Sequence, residues 1–347
     1  MILKSILIWL LGLGPLPVLA APAMPTPVAA AREYVMGTFA EVRVYDGGET
    51  AGRAAADAAL AEMRALDWLL AVQRPDSDVS RLNREAARGP VRVDPRVVEV
   101  LARSVDASRA TAGAFDVTVL PVVRAWGFID GRPHLPGPGP APRIAGWRSL
   151  RIDAAAGTVA FADAAAQVDL GGIGKGYALD RARDVLRAHG VRSGWLDLGG
   201  NIATLGAPPG GGPWRIAIRH PRRAGDRLGV VAMGEASVST SGDAEQYVME
   251  GGTRRGHIID PRSGRPADAL VSATVVAASA TTADALSTAA VVLGAARARE
   301  VLAGAGAEGL LVGLEPDGAL HLDATTDLDF HADGAAVARR GDERRLR

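Results

Sequence analysis

The pattern of apolar and polar positions changes character several times along the chain. The first stretch is continuous: Met-Ile-Leu-Lys leads into an apolar run from Ser5 to Ala20. Lys4 supplies a positive start and Ala21-Pro22-Ala23 a small-x-small cleavage site, so residues 1–23 read as a secretory signal peptide. The competing reading, a retained anchor helix, is disfavoured by Gly12, Gly14, Pro15 and Pro17 and by a run short for a bilayer span. The Ala/Pro-rich residues 24–33 read as a linker. From Thr38 to Tyr45 the pattern alternates, with Ala40, Val42 and Val44 against Glu41 and Arg43, which predicts a half-buried strand. Thr50 to Val72 switches to helical spacing, with Met63, Leu66, Leu69 and Leu70 on one face. Asp94-Pro95 is a cap followed by proline at the first helical position, and that helix runs on to Gly113.

Residues Gly131 to Pro142 form a Pro/Gly loop. Short strands are expected at Leu150–Ile152, Thr158–Phe161 and Gln167–Leu170, then a helix over Lys175–His189 closed by Gly190. Further strands are expected at Gly194–Leu198, Trp214–Arg219, Gly229–Met233, Ser272–Ala278 and Gly309–Val312, with one long Ala-rich helix over Thr282–Ala303. Strands and helices mix without regular alternation. The expectation is an α+β fold, a layered α/β sandwich of mixed sheets with flanking helices, in one catalytic domain over residues 34–335. The charged tail, residues 336–347, is expected to be disordered.

Composition narrows the chemistry. A chain of 347 residues with 48% hydrophobic and 22% charged residues can bury a core. Balanced charge, 39 basic against 39 acidic residues, excludes the basic excess of a nucleic-acid binder. The absence of cysteine removes disulfides, thiolate metal sites and thiol nucleophiles. Among the 39 basic residues only Lys4 and Lys175 are lysines. With Lys4 lost in the signal, Lys175 is the single lysine of the expected mature chain.

Three segments carry candidate chemistry. Val168-Asp169-Leu170-Gly171-Gly172-Ile173-Gly174-Lys175-Gly176-Tyr177 is a Gly-rich turn opening a helix, where backbone N–H groups and helix dipole favour an anion. Its spacing matches neither a Walker loop nor a dinucleotide fingerprint, so plain turn chemistry stays open beside phosphate binding. In the second segment Asp284, Ser287 and Thr288 stand at i, i+3 and i+4 of a helix, so one carboxylate and two hydroxyls share a face. Such oxygens suit a hard cation such as Mg²⁺, and helix capping is the alternative. The third, His257 to Pro266, is a short strand running into a turn, with His257 as a candidate base or flavin contact. The other histidines show no zinc-ligand pairing, and no Gly-x-Ser-x-Gly elbow occurs.

Together these segments resemble the FAD:protein FMN transferases, the ApbE-type flavin transferases. The resemblance runs from Met36 to Gly294. It includes Met36-Gly37-Thr38, Arg74-Pro75-Asp76-Ser77-Asp78-Val79-Ser80-Arg81-Leu82-Asn83, Gly113-Ala114-Phe115-Asp116-Val117-Thr118-Val119 and Trp126-Gly127-Phe128. The Gly-rich turn, Ser239-Thr240-Ser241-Gly242-Asp243, the His257–Pro266 segment and Ala283-Asp284 follow in the family's order. The family often has an aromatic residue before Arg-Pro, where this chain has Gln73.

The resemblance implies Mg²⁺-dependent transfer of FMN from FAD to a Thr or Ser hydroxyl of a partner flavoprotein, with release of AMP. The acceptor would carry a motif like Asp-x-x-(Ser/Thr)-Gly-Ala-(Thr/Ser), on a subunit of a membrane redox complex. The metal would be held by Asp284, Thr288, Ser287 and a backbone carbonyl near Gly172. FAD would contact Met36, Ala114, Phe115, Asp116, Asp169, Lys175, His257 and the backbone at Ile259. Lys175 and Asp284 are the expected electrostatic catalysts and His257 the expected base, with Asp243 and Asp260 as rivals. Two other outcomes stay open: hydrolysis of FAD to FMN and AMP, and a periplasmic FAD-binding protein without turnover. The signal segment points to the periplasm in each case.

Overall fold

The computed structural model describes residues 25–140 and 142–333. The expected signal peptide, the 336–347 tail and one residue of the Pro/Gly loop lie outside these. Among the described residues no helix is long and apolar enough to cross a membrane.

The described chain opens with a hairpin, β1 (Ala29–Val35) and β2 (Thr38–Val44), then α1 (Glu49–Leu70), α2 (Asp78–Glu85), the short β3 (Val91–Arg92) and α3 (Pro95–Ala110). The helix α4 (Leu120–Ala125) precedes β4 (Leu150–Asp153), β5 (Thr158–Phe161) and α5 (Gly174–Ala188). Strands β6 (Gly194–Leu198), β7 (Asn201–Leu205), β8 (Trp214–Arg219), β9 (Arg227–Met233) and β10 (Ser237–Gly242) follow. Two small hairpins come next, β11 (Tyr247–Glu250) with β12 (Thr253–Gly256) and β13 (Ile259–Asp260) with β14 (Arg265–Pro266). The chain continues with β15 (Ser272–Ala277), α6 (Ala280–Leu293), α7 (Ala295–Gly304), β16 (Glu308–Leu314), β17 (Leu320–Ala324) and β18 (Phe330–Ala332).

Eight strands form the central sheet in the order β1-β2-β6-β7-β10-β15-β16-β17. Every neighbouring pair is antiparallel. Alternation along each strand then sorts side chains onto two cores. On one face Ala40, Val42 and Val44 of β2 and Leu196 and Leu198 of β6 pack with Met63, Leu66 and Leu70 of α1 and Leu179, Ala182 and Leu186 of α5. Farther along the same sheet, Ala273, Val275 and Ala277 of β15 meet Ala283, Leu286 and Ala290 of α6 and Leu302 of α7. On the opposite face Trp195 and Ile202 pack against Trp214, Ile216 and Val231 of a three-stranded sheet, β18-β9-β8. The α+β expectation holds: a sheet with helices on one side and a second sheet on the other.

Three local expectations are corrected. Residues 29–33 of the expected linker belong to β1, where Ala29, Ala31 and Val35 point inward. Alanine has little strand propensity of its own, and pairing with β2 supplies what composition does not. Gln167–Leu170 is extended but not a strand. Asn83 takes the place of a neighbouring strand: its side-chain amide donates to the Val168 carbonyl (2.9 Å) and accepts from the Val168 N–H (2.7 Å). The single long helix of Thr282–Ala303 is two, α6 and α7, broken at Gly294, whose φ of 74° is the left-handed geometry glycine supplies at a helix end.

Candidate active site

A cleft of about 1010 Å³ lies where the strand ends of the central sheet meet the starts of the helices. Met36, Ala114, Phe115, Asp116, Asp169, Gly172, Lys175, His257, Ile259, Asp284 and Thr288 all line it. Residues far apart in sequence therefore share one wall system. Ser287 does not reach the cleft. It is fully buried, and its hydroxyl donates to the Asp284 carbonyl (2.9 Å) and bonds Ser241 (2.8 Å) behind the wall.

Asp284 is the most constrained of these groups. It stands five residues beyond Ser279, whose hydroxyl caps α6 by accepting from the Thr282 N–H, so Asp284 is not the cap. Only 3% of it is exposed. Its Oδ2 accepts from the Gly176 N–H at 2.8 Å, and its Oδ1 from Asn201 Nδ2 at 2.9 Å and Ser239 Oγ at 3.2 Å. No Lys, Arg or His among the described residues pairs with it. A buried carboxylate without a cation is costly, and Asp284 lines the cleft.

The donors around that carboxylate are hard oxygens. Thr288 Oγ1 lies 3.3 Å from Ser241 Oγ, and a side chain at Gly172 would come within 3.2 Å of Thr288 Oγ1 and 3.3 Å of the Phe115 ring. Glycine at position 172 thus keeps open a small cradle between Thr288 and Phe115. Among the described residues no group of three or more His, Cys, Asp or Glu side chains forms a metal cage. One carboxylate, hydroxyls and a backbone carbonyl instead match a cation that keeps waters and takes further oxygens from a phosphate, as Mg²⁺ does.

The Gly-rich turn adjoins this carboxylate. Helix α5 starts at Gly174 after Ile173, which offers no capping side chain. In its first turn the Gly174 N–H bonds Leu170 O (2.7 Å), Gly176 bonds Asp284, and Tyr177 bonds Ile173 O (3.0 Å). The Lys175 N–H finds no acceptor among the described residues, and neither does its ammonium. A free amide, a helix dipole and an uncompensated ammonium coincide at one point, a combination that favours an anion. Asp169 shapes the approach. It accepts from the Gly171 N–H at 3.1 Å, and burial raises its carboxyl above the usual range.

Met36 and Asp116 are held in place rather than free. Met36 and Gly37 form the two-residue turn between β1 and β2, and Met36 has a φ of 52°. A non-glycine residue in that region stores strain, which persists where the surrounding structure enforces it. The Asp116 carboxylate accepts from Thr118 N–H (2.8 Å), Thr118 Oγ1 (2.7 Å) and Trp147 N–H (2.9 Å), which pins the Ala114-Phe115 wall.

His257 closes the cleft beside Phe128, their rings edge to face with centroids 6.3 Å apart. Its backbone N–H bonds Gln246 O, and its Nδ1 is buried without a partner among the described residues. Burial pushes its pKa below the ordinary imidazole value, helped by the Lys175 charge and opposed by Glu245 and Asp243. The two rival bases are committed elsewhere. Asp243 is gripped by Arg222 at 2.5 and 2.7 Å, and Asp260 accepts from Arg262 at 2.9 Å on each oxygen.

Asn201 is a site residue that the sequence analysis did not single out, and Ser239 and Ser241 stood there only in the run that carries the resemblance, without a role. The signals are visible in retrospect. Ser237, Ser239 and Ser241 recur at period two along β10, and Asn201 directly follows the Gly199-Gly200 turn.

Known proteins share much of this sequence and its fold. The model of the ApbE family matches residues 36–311. The FAD:protein FMN transferase of Salmonella typhimurium is 32% identical over 250 residues, covering 70% of this chain and 71% of that protein. The enzyme of the same description from Haemophilus influenzae is 31% identical over 300 residues, covering 82% and 86%. The crystal structure of the Pseudomonas stutzeri flavinyl transferase ApbE in its apo form superposes with a TM-score of 0.75 at 33% identity, covering 85% of this chain and 94% of that one. The Thermotoga maritima ApbE protein gives a TM-score of 0.74 at 30% identity, over 85% of this chain and 96% of that one. With a match over most of its length and the same architecture, the chain belongs to the ApbE family.

Proposed function

We propose that this protein transfers FMN from FAD to a Thr or Ser hydroxyl of a partner flavoprotein, releasing AMP. The observation that carries this reading is the buried, uncompensated Asp284 carboxylate beside the Lys175 turn in the cleft. A pyrophosphate with a bound cation supplies the charges that each wall lacks. Asp284, Thr288 and a carbonyl near Gly172 would hold Mg²⁺. Bound there, Mg²⁺ would neutralise pyrophosphate charge and favour in-line attack at phosphorus.

The protein's own groups do the rest. Lys175 and the free N–H at the start of α5 bind phosphate oxygens and stabilise the charge that builds up on them. Met36, Phe115 and the Ile259 backbone line the space for the rest of FAD. His257, neutral at neutral pH, accepts the proton of the incoming hydroxyl. The new bond joins the acceptor oxygen to the FMN phosphorus. The bond broken runs from that phosphorus to the bridging oxygen, which leaves on AMP. The acceptor is read as a membrane redox-complex subunit with an Asp-x-x-(Ser/Thr)-Gly-Ala-(Thr/Ser)-like motif, met in the periplasm; the N-terminal signal pattern supports that compartment.

The test is mass spectrometry of an acceptor domain incubated with FAD and Mg²⁺. A covalent FMN adduct and free AMP are expected with the wild type. Asp284→Ala should slow adduct formation by about 10²–10³. Free FMN without adduct would make the protein an FAD pyrophosphatase instead. FAD binding without turnover would make it a carrier.

A further inference from the structure

Asp180 lies on α5, five residues beyond Lys175, and takes no part in the cleft wall. Its carboxylate nevertheless accepts five hydrogen bonds. Oδ1 receives Arg183 Nη2 (2.7 Å) and the Ala280 N–H (2.8 Å). Oδ2 receives the Ser279 hydroxyl (2.6 Å), the Thr281 N–H (2.9 Å) and the Thr281 hydroxyl (2.6 Å). Four of these donors belong to the cap and first turn of α6.

This exceeds what capping needs, since Ser279 already accepts from the Thr282 N–H within the same segment. A cap from the helix's own chain stabilises the helix. A cap from another helix also fixes where the two helices stand. The opposite bond completes the arrangement: Asp284 of α6 accepts from the Gly176 N–H at the start of α5. Each helix thus places one carboxylate on the other's first turn. At the crossing the Ala280 carbonyl and Asp284 Cβ lie so near Gly176 that a methyl group there would overlap both. Arg183, 6% exposed, extends the link to the strand that carries Ser239 and Ser241, donating to Ser237 Oγ (3.2 Å) and to the Ala278 carbonyl (3.0 Å).

We propose that Asp180 is a positioning residue that sets the separation between the phosphate wall, carried by α5, and the cation wall, carried by α6. The inference rests on the reading of Asp284 and Thr288 as cation ligands. Without Asp180 the start of α6 loses its external anchor, and Asp284 and Thr288 lose their placement relative to Lys175. Groups that orient metal ligands are worth about 10–100-fold in metal affinity.

The experiment uses the full chain with Mn²⁺ as the probe cation, its affinity read by electron paramagnetic resonance. FAD affinity is read in EDTA by flavin fluorescence, and kcat and KM for FAD are read with metal present. Asp180→Ala and the isosteric Asp180→Asn are compared with Asp184→Asn, an exposed carboxylate on the same helix. The expected result is Mn²⁺ affinity about 10–100-fold weaker in both Asp180 variants, a matching loss in kcat, and metal-free FAD affinity unchanged. Asp184→Asn should match the wild type throughout. A folded Asp180→Asn with wild-type Mn²⁺ affinity overturns the proposal. So does equal loss of Mn²⁺ and metal-free FAD affinity, which would mean general loosening of the cleft. If the Asp180 variants do not fold, Thr281→Val removes one donor at constant shape. It should lower Mn²⁺ affinity by a smaller factor, and no change overturns the idea. Wild-type protein that transfers FMN without binding Mn²⁺ sinks the cation reading and this proposal together. Wild type that binds Mn²⁺ but forms no adduct sinks only the transfer reading.

Discussion

A buried imidazole and a buried carboxylate face each other's problem in this cleft. His257 is held below the ordinary imidazole value by burial, so it is neutral and can take a proton. The sign follows directly. The unfolded chain binds a proton near pH 6.5 that the folded chain refuses until lower pH, so this group's contribution to stability is present above about 6.5 and lost as pH falls toward the folded value. For catalysis the acid limb of kcat/KM should lie below about pH 6.5. His257→Gln should abolish that limb and lower kcat by about 10²–10⁴. A limb at or above 6.5 in the wild type, or one retained in the variant, would remove His257 from the role of base. Asp284 has the reverse difficulty: three hydrogen-bond donors orient it, yet none brings a full positive charge.

At the scale of elements, the site depends on how closely α5 and α6 cross. Gly176 is the point of contact, and its lack of a side chain lets its N–H reach Asp284. Gly176→Ala forces the helices apart and should destabilise the protein by about 1–3 kcal/mol in urea unfolding. Unchanged stability would show that the crossing has slack. The same scale explains which elements were legible in the sequence. The α1 periodicity and the Asp94-Pro95 start of α3 are local signals, and both appear in the structure as read. The break at Gly294 is also local, but the alanines on either side conceal it, because they are compatible with one continuous helix. The extended segment before the Gly-rich turn has strand-like composition, yet its partner is the Asn83 side chain rather than a strand.

For the molecule as a whole, the central sheet has helices on one face and β8, β9 and β18 on the other. The cleft is lined from both sides, by Lys175, Asp284 and Thr288 next to the helices and by Arg219 of β8. Trp214 is buried in that second layer, 5.5 Å from the Tyr45 ring and 5.7 Å from the Trp195 ring between centroids, with its Nε1 donating to Gly206 O at 2.8 Å. Trp214→Ala should cost about 3–5 kcal/mol in thermal or urea unfolding. Mn²⁺ affinity measured on the folded protein should not change. A weakened cation site in that variant would mean the two faces are coupled.

Sequence by itself determined the class of fold, about half of the helices and strands, and the three segments where chemistry concentrates. Those features are local: periodicity, caps, a run of glycines, and the i, i+3, i+4 placement of Asp284, Ser287 and Thr288. Tertiary structure decided what each segment faces. It turned Ser287 behind the wall, tied Asp243 to Arg222, and brought Asn201 and Ser239 onto Asp284. It also joined Asp180 to a helix start some hundred residues away. Strand register and helix crossing set these outcomes, because a shift of one residue in a strand sends a side chain to the opposite face. Local alternation says which residues of a strand face a core, and only the fold says which distant strand or helix they meet there.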